Sequence, residues 1–234
     1  FLERLRKNGL FPMITTCCPG WIKFMEHFYH ELIPNMSSCK SPHEMLGILT
    51  KTYYAKKAGI KKNDIIVVSV MPCVTKKFES TRPELKSDVD YVLTTREAAK
   101  LIRHYNINFK KLPEENFDHA LGISTGAGVM FGASGGVMEA ALRTAYEFAT
   151  GRPLKKLEFD LIRGMEGIKE GELNLGGKRI KYAVAHGGKN IRRLLENKNK
   201  YHFIEIMACP GGCIGGGGQP LPLTKEILQK RMNA

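Results

Sequence analysis

Six cysteines are the residues of this 234-residue chain whose types and spacing could do chemistry. Five of them lie in three short segments marked by glycine or proline: Thr15–Trp21 (TTCCPGW), Met71–Glu79 (MPCVTKKFE) and Glu205–Pro220 (EIMACPGGCIGGGGQP). In the last segment, Cys209 and Cys213 are separated by one proline and two glycines. Two such thiols can bind one inorganic group, and a glycine-rich backbone lets that group approach main-chain amides. Taken alone, the segment is also compatible with a glycine-rich turn carrying two incidental cysteines.

The rest of the sequence limits the kinds of chemistry that the cysteines can perform. The chain begins at Phe1 without a methionine and without a signal-like segment, so we interpret it as a fragment and expect a cytoplasmic protein. In such a chain, clustered cysteines favour metal binding or catalysis over a disulfide framework.

The elements around the cysteines predict where they lie. The apolar run Ile65–Met71 is typical of a buried parallel strand and stops at Pro72 and Cys73, while Tyr201–Met207 is a strand that leads into the last motif. Pro19 begins a helix directly after Cys18. Further helices are predicted at residues 1–8, 42–58, 95–105, 137–148 and 190–197, and further strands at residues 90–94, 159–163 and 179–185. This alternation predicts an α/β fold with parallel sheet, and such sheets bind ligands at the carboxyl ends of their strands.

Composition excludes some classes of function. The hydrophobic fraction of 43% and the charged fraction of 25% are ordinary for a globular protein, and no run approaches the roughly 18 apolar residues of a membrane span. The formal net charge is +13, but the lysines are scattered and no nucleic-acid motif accompanies them. We therefore expect neither nucleic acid nor membrane as a partner, and we interpret the charge as a solvated surface or a docking surface for an acidic protein.

The three cysteine motifs, in this order, resemble the signature motifs of the FeFe hydrogenase catalytic domain, which holds the H-cluster. The similarity extends to the intervening segments Ser41–Pro42, Lys51–Tyr54, Thr94–Glu97 and Gly132–Ala141. The resemblance implies an α/β fold of two lobes, each with mostly parallel sheet flanked by helices, and a metal cluster bound between the lobes. It assigns residues 1–234 to most of this domain, with upstream and C-terminal portions missing.

The resemblance also implies the metal ligands. Cys18, Cys73, Cys209 and Cys213 match the four ligands of a 4Fe-4S cluster. Cys213 matches the ligand that also bridges to a di-iron subcluster carrying CO, CN and azadithiolate ligands. Soft thiolates suit iron–sulfur clusters. A tetrahedral zinc site would need the same four thiolates and is the alternative, although it explains neither Cys17 nor Lys76.

A proton path is implied by four further matches. Cys17 matches the non-ligating thiol that exchanges a proton with the cofactor, and an unperturbed thiol, with a pKa of about 8.5, can hold a proton at neutral pH. Glu79 and Ser37 match the next members of that path, and Arg4 matches a residue near its exit. Cys17 could instead be a spare buried cysteine, and Ser37 and Arg4 ordinary surface residues.

Six residues match the surroundings of the di-iron subcluster. Lys76 matches the lysine that contacts a cyanide, for which an ammonium is a suitable donor. His43 stands where many members have a glutamine close to a diatomic ligand, and a histidine there could titrate near neutrality and tune the cofactor. The apolar or small residues that match the pocket wall are Met71, Met207, Phe131 and Gly132. Alternatively, these apolar residues could simply pack in the core, and Lys76 could be a solvated surface lysine. Cys39 matches no ligand, and we expect it to be a small buried hydrophobe.

The function implied by the resemblance is that of an oxidoreductase, an FeFe hydrogenase that catalyses 2 H+ + 2 e− to H2 reversibly with low-potential electrons. The expected partners are an acidic ferredoxin-like electron carrier and maturation proteins that insert the di-iron unit, in the hydrogen metabolism of an anaerobic prokaryote. Two alternatives remain: a sensory relative that binds H2 with little turnover, and a Narf-like iron–sulfur assembly scaffold. The paired cysteines and the complete E-x-M-x-C-x-x-G-C pattern favour the hydrogenase.

Overall fold

The computed structural model describes residues 1–122, 126–154 and 167–233. The strands are β1 (Met13–Ile14), β2 (Val68–Met71), β3 (Tyr91–Thr94), β4 (Ile168–Leu175), β5 (Lys178–His186) and β6 (Phe203–Met207). The helices are α1 (Leu2–Arg6), α2 (Pro19–Phe28), α3 (Pro42–Leu49), α4 (Ala55–Ala58), α5 (Thr75–Glu79), α6 (Thr95–His104), α7 (Ala127–Met130), α8 (Gly136–Thr150), α9 (Gly188–Leu195) and α10 (Lys225–Asn233).

The chain divides into two compact units. Unit 1 consists of Phe1–Ser38, Gly126–Gly215 and Leu223–Ala234, and unit 2 consists of Cys39–Thr125 and Gly216–Pro222. Unit 1 therefore combines the start, the middle and the end of the sequence.

Unit 1 is built on a four-stranded sheet with the order β1-β6-β5-β4. β1, β6 and β5 are parallel, and β4 pairs antiparallel with β5. Alternate residues of β5 serve two cores: Ala183 and Ala185 pack with α2 and α9, whereas Tyr182 and Val184 pack with α8. Helices cover both faces of the sheet, and for this reason all five residues of β6 are buried.

Unit 2 contains a two-stranded parallel sheet of β2 and β3, connected through α5. Residues 42–58 form one continuous helical stretch in which α3 and α4 are joined by a π-helical segment, Thr50–Tyr54. Gly59 ends this stretch with a φ of +69°. Gly47 packs so closely on the loop before β3 that a Cβ there would lie 2.4 Å from the carbonyl oxygen of Asp88. The predicted helix over residues 42–58 is thus confirmed, with a π-helical interruption.

The fold class inferred from the sequence is confirmed: the structure is mixed α/β with parallel sheets flanked by helices. The prediction of a buried strand over Ile65–Met71 was wrong in its start and in its burial. β2 begins at Val68, and its Val68 and Val70 side chains are about half exposed. β4 was not predicted, since its polar sequence IKEGELNL has little apolar alternation before Gly176 and Gly177 turn the chain into β5. The strand predicted at residues 159–163 lies outside the described residues.

None of the helices in the described part of the chain is long and apolar enough to cross a membrane.

Candidate metal centre

Two of the three cysteine motifs, those with Cys18 and Cys209, lie in unit 1 and meet at one edge of its sheet. β1 and β6 are parallel neighbours, and their pairing continues where the Thr15 amide donates to the Ile204 carbonyl oxygen (3.0 Å) and the Ile206 amide donates to Thr15 Oγ1 (3.2 Å). The chain after β1 then reaches Cys18, and the chain after β6 reaches Cys209. Because both strands end at the same edge, the chain brings Cys18 and Cys209, which are 191 residues apart in sequence, to that edge of the sheet.

Cys18 lies in surroundings that suit a thiolate. It is the N-cap residue of α2, with Pro19 at the first helical position, and only 8% of the residue is exposed. The backbone amide of Ala208 donates to Cys18 Sγ at 3.4 Å. The amide and the positive end of the ten-residue helix both stabilise negative charge on sulfur.

The turn that carries Cys209 and Cys213 is close-packed against its own backbone. The Gly212 amide donates to the Cys209 carbonyl oxygen (3.1 Å), and Gly212 has a φ of +92°. A Cβ on Gly212 would lie 2.6 Å from the Ser134 amide nitrogen, and one on Gly215 would lie 2.1 Å from the Pro210 carbonyl oxygen. These two glycines are therefore required by the fold of the turn itself.

A second glycine-containing segment holds this turn. The Ile214 amide donates to the Gly132 carbonyl oxygen (3.0 Å), and the Ser134 amide donates to the Gly211 carbonyl oxygen (3.0 Å). Phe131 caps the short helix α7 and directly precedes Gly132. The structure thus places Phe131 and Gly132 beside the turn that carries Cys213.

Cys17, Cys18, Cys213 and Met207 belong to the same core region. Cys18 and the almost fully buried Met207 are members of the hydrophobic cluster between β6 and α2, and Cys17 and Cys213 pack against that cluster. Cys17 and Cys213 are both partly exposed. The arrangement therefore leaves thiol sulfur available for a metal group at this edge of the sheet.

A zinc ion and an iron–sulfur cluster require different spacings of the ligating sulfurs. Tetrahedral zinc, with Zn–S bonds of about 2.3 Å, needs sulfurs about 3.8 Å apart. Within the described part of unit 1, no three cysteine sulfurs lie within 4.8 Å of one another. An iron–sulfur cluster, whose ligands attach to different iron atoms, accepts wider spacing.

Ser37 and Arg4 are held together in unit 1. The Ser37 amide donates to the Ile14 carbonyl oxygen (2.8 Å), next to the end of β1. The Arg4 guanidinium donates to the carbonyl oxygens of Asn35 (3.1 Å) and Met36 (2.7 Å). Arg4 thereby holds the backbone that leads into Ser37.

In unit 2, Cys73 follows β2 in the way that Cys18 follows β1. Met71 ends β2 and pairs with Thr94, and Cys73 lies two residues later. Cys73 Sγ is 2.9 Å from Thr75 Oγ1, the hydroxyl of the first residue of α5. The thiol is partly exposed at the carboxyl edge of its sheet.

The helix α5 carries Lys76 and Glu79 on one buried face. Lys76 Nζ donates to Glu79 Oε2 at 2.7 Å, and this oxygen also accepts from Ser41 Oγ (2.7 Å) and lies 2.7 Å from His43 Nε2. Burial by itself raises the pKa of Glu79, but the hydrogen bonds from His43, Lys76 and Ser41 and the charge of Lys76 outweigh it, so this pKa lies below its usual value. Glu79 is therefore a carboxylate at neutral pH.

His43, which the family resemblance predicts to lie near the di-iron subcluster, uses both ring nitrogens within unit 2. Nδ1 lies 3.0 Å from Ser69 Oγ, and Nε2 faces Glu79. The same Nε2 is 3.1 Å from Oε1 of the fully buried Glu44. Burial, followed by the negative charges of Glu79 and Asp88, raises the pKa of Glu44 to about 7.

Sequence reasoning missed Glu44 as a site residue, and the expectation of a buried Cys39 was wrong, since Cys39 is exposed. An acid in the first turn of a helix is common because it complements the helix dipole, so nothing in the local pattern marked Glu44 as unusual.

Glu205 was also missed, although it is the acidic residue of the all-buried strand β6. Its carboxylate accepts from the amides of Gly135 (2.7 Å) and Met138 (2.6 Å), at the first turn of α8. Burial raises the pKa of Glu205 to about 7 in spite of these hydrogen bonds, which lower it. The signal in the sequence was a single acid within an otherwise apolar strand. It serves to fix α8 to the strand that leads into Cys209.

Comparison with known proteins identifies the family. Residues 1–217 match the family described as iron only hydrogenase large subunit, C-terminal domain. The chain is 51% identical to the NADP-reducing hydrogenase subunit HndD of Solidesulfovibrio fructosivorans, over 99% of this chain and 42% of that protein. It is 49% identical to the periplasmic Fe hydrogenase large subunit of Nitratidesulfovibrio vulgaris, over 98% of this chain and 57% of that protein. The chain thus spans about half the length of these curated relatives.

The structural comparison agrees. A variant of the apo FeFe hydrogenase HydA1 from Chlamydomonas reinhardtii superposes with a TM-score of 0.82 and 41% identity, covering 99% of this chain and 68% of that chain. A more distant relative, Protein NAR1 of Arabidopsis thaliana, is 35% identical over 93% of this chain and 51% of that protein. The cysteine motifs at the strand ends, the fold and these matches agree, and the chain belongs to the family of iron-only hydrogenase large subunits, whose C-terminal domain it carries.

Proposed function

We propose that this chain is the hydrogen-converting domain of an FeFe hydrogenase, which interconverts 2 H+ + 2 e− and H2. The proposal rests on one observation: the chain has a fifth thiol, that of Cys17, beside the four proposed ligands. A scaffold for a 4Fe-4S cluster needs four cysteines, whereas Cys17 is an additional, partly exposed thiol that packs against the same core as Cys18 and Cys213. A thiol in that place has no use in holding the cluster but is suited to carrying a proton.

The residues present fit the cofactor in donor chemistry. We propose that Cys18, Cys73, Cys209 and Cys213 hold a 4Fe-4S cluster, and that Cys213 also holds a di-iron subcluster with CO, CN and azadithiolate ligands. When bound, this group supplies an electron store and an open coordination position for H2. The amide hydrogen bond from Ala208 to Cys18 Sγ is of the kind that tunes iron–sulfur clusters.

The other residues of the chain are assigned to binding and proton transfer. The Cys17 thiol holds a proton at Sγ and passes it on, with Glu79, Ser37 and Arg4 as the further members of the proton path. Lys76 offers an ammonium that donates to Glu79. An ammonium with its three N–H groups suits an anionic ligand such as cyanide. We assign Met71, Met207, Phe131 and Gly132 to the surroundings of the reactive group, where apolar side chains would exclude water.

The proposed partners follow from charge and from the cofactor. The formal net charge of +13 suits an acidic ferredoxin-like electron carrier, because opposite charges speed the encounter of two proteins. Insertion of a preassembled di-iron unit requires maturation proteins.

Infrared spectroscopy of the whole protein after maturation tests the proposal. We expect absorption bands of iron-bound CO and CN, together with H2 evolution when a strong reductant is supplied. Bands without turnover would replace the proposal with a sensory hydrogenase. An iron–sulfur signal without these bands would replace it with an assembly scaffold, the alternative suggested by the similarity to Protein NAR1.

A further inference from the structure

Unit 2 contains a buried cluster of four ionisable side chains. His43 and Glu44 come from α3, and Lys76 and Glu79 come from α5. Each of the four residues is at most 8% exposed, and Glu44 is fully buried. The proposed function uses Lys76, Glu79 and His43 but gives no role to Glu44, the residue whose burial is hardest to explain.

One oxygen of Glu79 is surrounded by donors. Ser41 Oγ, His43 Nε2 and Lys76 Nζ each lie 2.7 Å from Glu79 Oε2. A ring nitrogen that donates to Glu79 must carry a hydrogen, so the arrangement corresponds to His43 protonated at Nε2. Lys76 neutralises the charge of Glu79, which leaves any charge on Glu44 to be balanced by another group.

Among the described residues, His43 is the group that can balance a charge on Glu44. Neither carboxylate oxygen of Glu44 makes a hydrogen bond within the described part of the chain, although Oε1 is only 3.1 Å from His43 Nε2, whose N–H is directed at Glu79. The other charged groups that face it are Glu79 and Asp88, which raise its pKa, and Lys76 and Lys40, which lower it. The two negative charges and the two positive charges of these four groups balance each other, and Lys40 is itself paired with Asp88. A bare, fully buried carboxylate without a partner would be strongly unfavourable.

We propose that His43 and Glu44 share one exchangeable proton at neutral pH, and that the position of this proton controls how firmly Glu79 holds Lys76. In one arrangement Glu44 is a neutral acid whose O–H donates to His43 Nε2, and the ring donates from Nδ1 to Ser69 Oγ. In the other, the O–H bond of Glu44 breaks and an N–H bond forms at His43 Nε2. The net charge of the cluster is the same in both arrangements.

The two arrangements differ at Glu79. When the proton is on His43, the imidazolium donates to Glu79 Oε2 and competes with Lys76 for that oxygen. When the proton is on Glu44, His43 no longer donates to Glu79, and the carboxylate binds Lys76 more tightly. The state of the His43–Glu44 pair is thereby transmitted to the Lys76 ammonium. Its effect on a cyanide of the cofactor rests on the proposed function.

A divalent cation is the competing interpretation of this cluster. The ligand atoms of His43, Glu44 and Glu79 lie within 4.8 Å of one another, close enough to surround a metal ion. However, the Lys76 ammonium already lies 2.7 Å from the Glu79 oxygen. A second cation at that oxygen would be repelled by the first, so the cluster suits a proton better than a metal.

Nuclear magnetic resonance of the whole protein, labelled with 15N in its histidine rings, tests the shared proton. The signals of His43 are identified by their loss in His43→Gln. In Glu44→Gln we expect the ratio of charged to neutral His43 ring to fall about tenfold relative to the unchanged protein at the same pH, because the acid that shares the proton is gone. Glu84→Gln, which removes an exposed acid of unit 2, is the control and leaves the ratio unchanged. An equal ratio in Glu44→Gln and in the unchanged protein would refute the proposal.

Infrared difference spectra at about pH 6 provide a second measurement that does not depend on histidine signals. A protonated buried carboxyl gives a C=O band that shifts in heavy water, and we expect Glu44→Gln to remove one such band. Glu205→Gln identifies the band of the other buried acid with a raised pKa. If no band is lost in Glu44→Gln, Glu44 is not the site of the proton and the proposal fails.

The link to the cofactor is tested separately in matured protein. We expect the CN stretching frequency of Glu44→Gln to differ from that of the unchanged protein at the same pH, because the glutamine cannot share the proton and Glu79 then holds Lys76 differently. An identical CN frequency in both proteins would overturn the transmission through Lys76. Absence of all CN bands would refute the proposed function and would leave the histidine and carboxyl measurements standing, so the two failures are distinguishable.

Discussion

Cys17 and Cys18 are adjacent in the chain, and the fold gives their thiols different surroundings. Cys18 is buried, caps α2 and accepts an amide hydrogen bond from Ala208. Cys17 is more exposed and packs against the same core as a partly buried residue. One position therefore suits a fixed ligand, and the other suits a group that exchanges protons.

This difference predicts different outcomes for two alanine variants. Cys213→Ala removes the proposed bridging sulfur, so we expect loss of the CO and CN bands and of all H2 evolution. Cys17→Ala leaves the ligands in place, so we expect intact bands with turnover lower by at least about 100-fold, the usual contribution of a positioned proton donor. Infrared spectra and H2 evolution of the two matured variants measure this. Cys39→Ala, at an exposed thiol, is the control and should match the unchanged protein. Identical behaviour of the first two variants would contradict the separation of ligand from proton carrier.

The raised pKa of Glu44 leads to a prediction about the stability of the protein. Its pKa is raised from 4.5 to about 7 in the folded protein, so the folded state binds more protons than the unfolded state between these values. The free energy of unfolding therefore falls as the pH rises through this window, and the cost of ionising Glu44 is complete above it. Glu44→Gln keeps the shape without the charge. We expect it to be more stable than the unchanged protein by about 2 kcal/mol at about pH 8, with the difference shrinking towards about pH 5.

Urea denaturation at several pH values measures this difference, with Glu84→Gln as the control for loss of an exposed acid. A Glu44→Gln variant that is equally destabilised at every pH would show that the side chain is held by packing and not by its titration.

At the scale of elements, Glu205 joins β6 to α8. Its two oxygens accept two backbone amides at the start of the helix, and a glutamine offers one acceptor oxygen while turning its NH2 group towards the other amide. We expect Glu205→Gln to lower the free energy of unfolding by about 1–3 kcal/mol, the cost of leaving a buried donor without a partner. Thermal or urea denaturation measures this, and Glu172→Gln, on the exposed side of β4, is the matched control. No loss of stability would mean that the helix start is held by packing alone.

The elements differ in how well the sequence predicted them. The helix from Pro42 to Gly59 and strand β6 were predictable because helix caps and apolar runs are local signals. The exposure of β2 was not, because burial depends on what covers the strand, and its apolar sequence is the same whether one or two strands pair with it.

Part of the candidate site was predictable because it, too, is marked by local signals in the sequence. Ligand spacing such as Cys209 to Cys213 is local, and the family resemblance supplied the remaining thiols. The partners of Glu44 and Glu205 come from other elements, and only the tertiary fold shows that these acids are buried.

At the scale of the whole molecule, the charge of the chain predicts the salt dependence of electron transfer. With a net charge of +13, association with an acidic electron carrier should be steered electrostatically. We expect the bimolecular rate of reduction by a reduced acidic ferredoxin to fall by about tenfold or more between low and high ionic strength, because salt screens charges beyond the Debye length. Stopped-flow kinetics measure this, with a small uncharged reductant as the control. A rate that does not respond to salt would contradict an acidic partner.

The pairing of β1 with β6 has a consequence for biosynthesis. The hydrogen bond between Cys18 and Ala208 joins residues 190 positions apart, and β1 has no neighbour in its sheet other than β6 among the described residues. Contacts of such large sequence separation form late in folding. The sheet edge with its thiols therefore exists only after the ribosome has released residues up to Cys213, and a metal group can bind there only from that point of synthesis onwards.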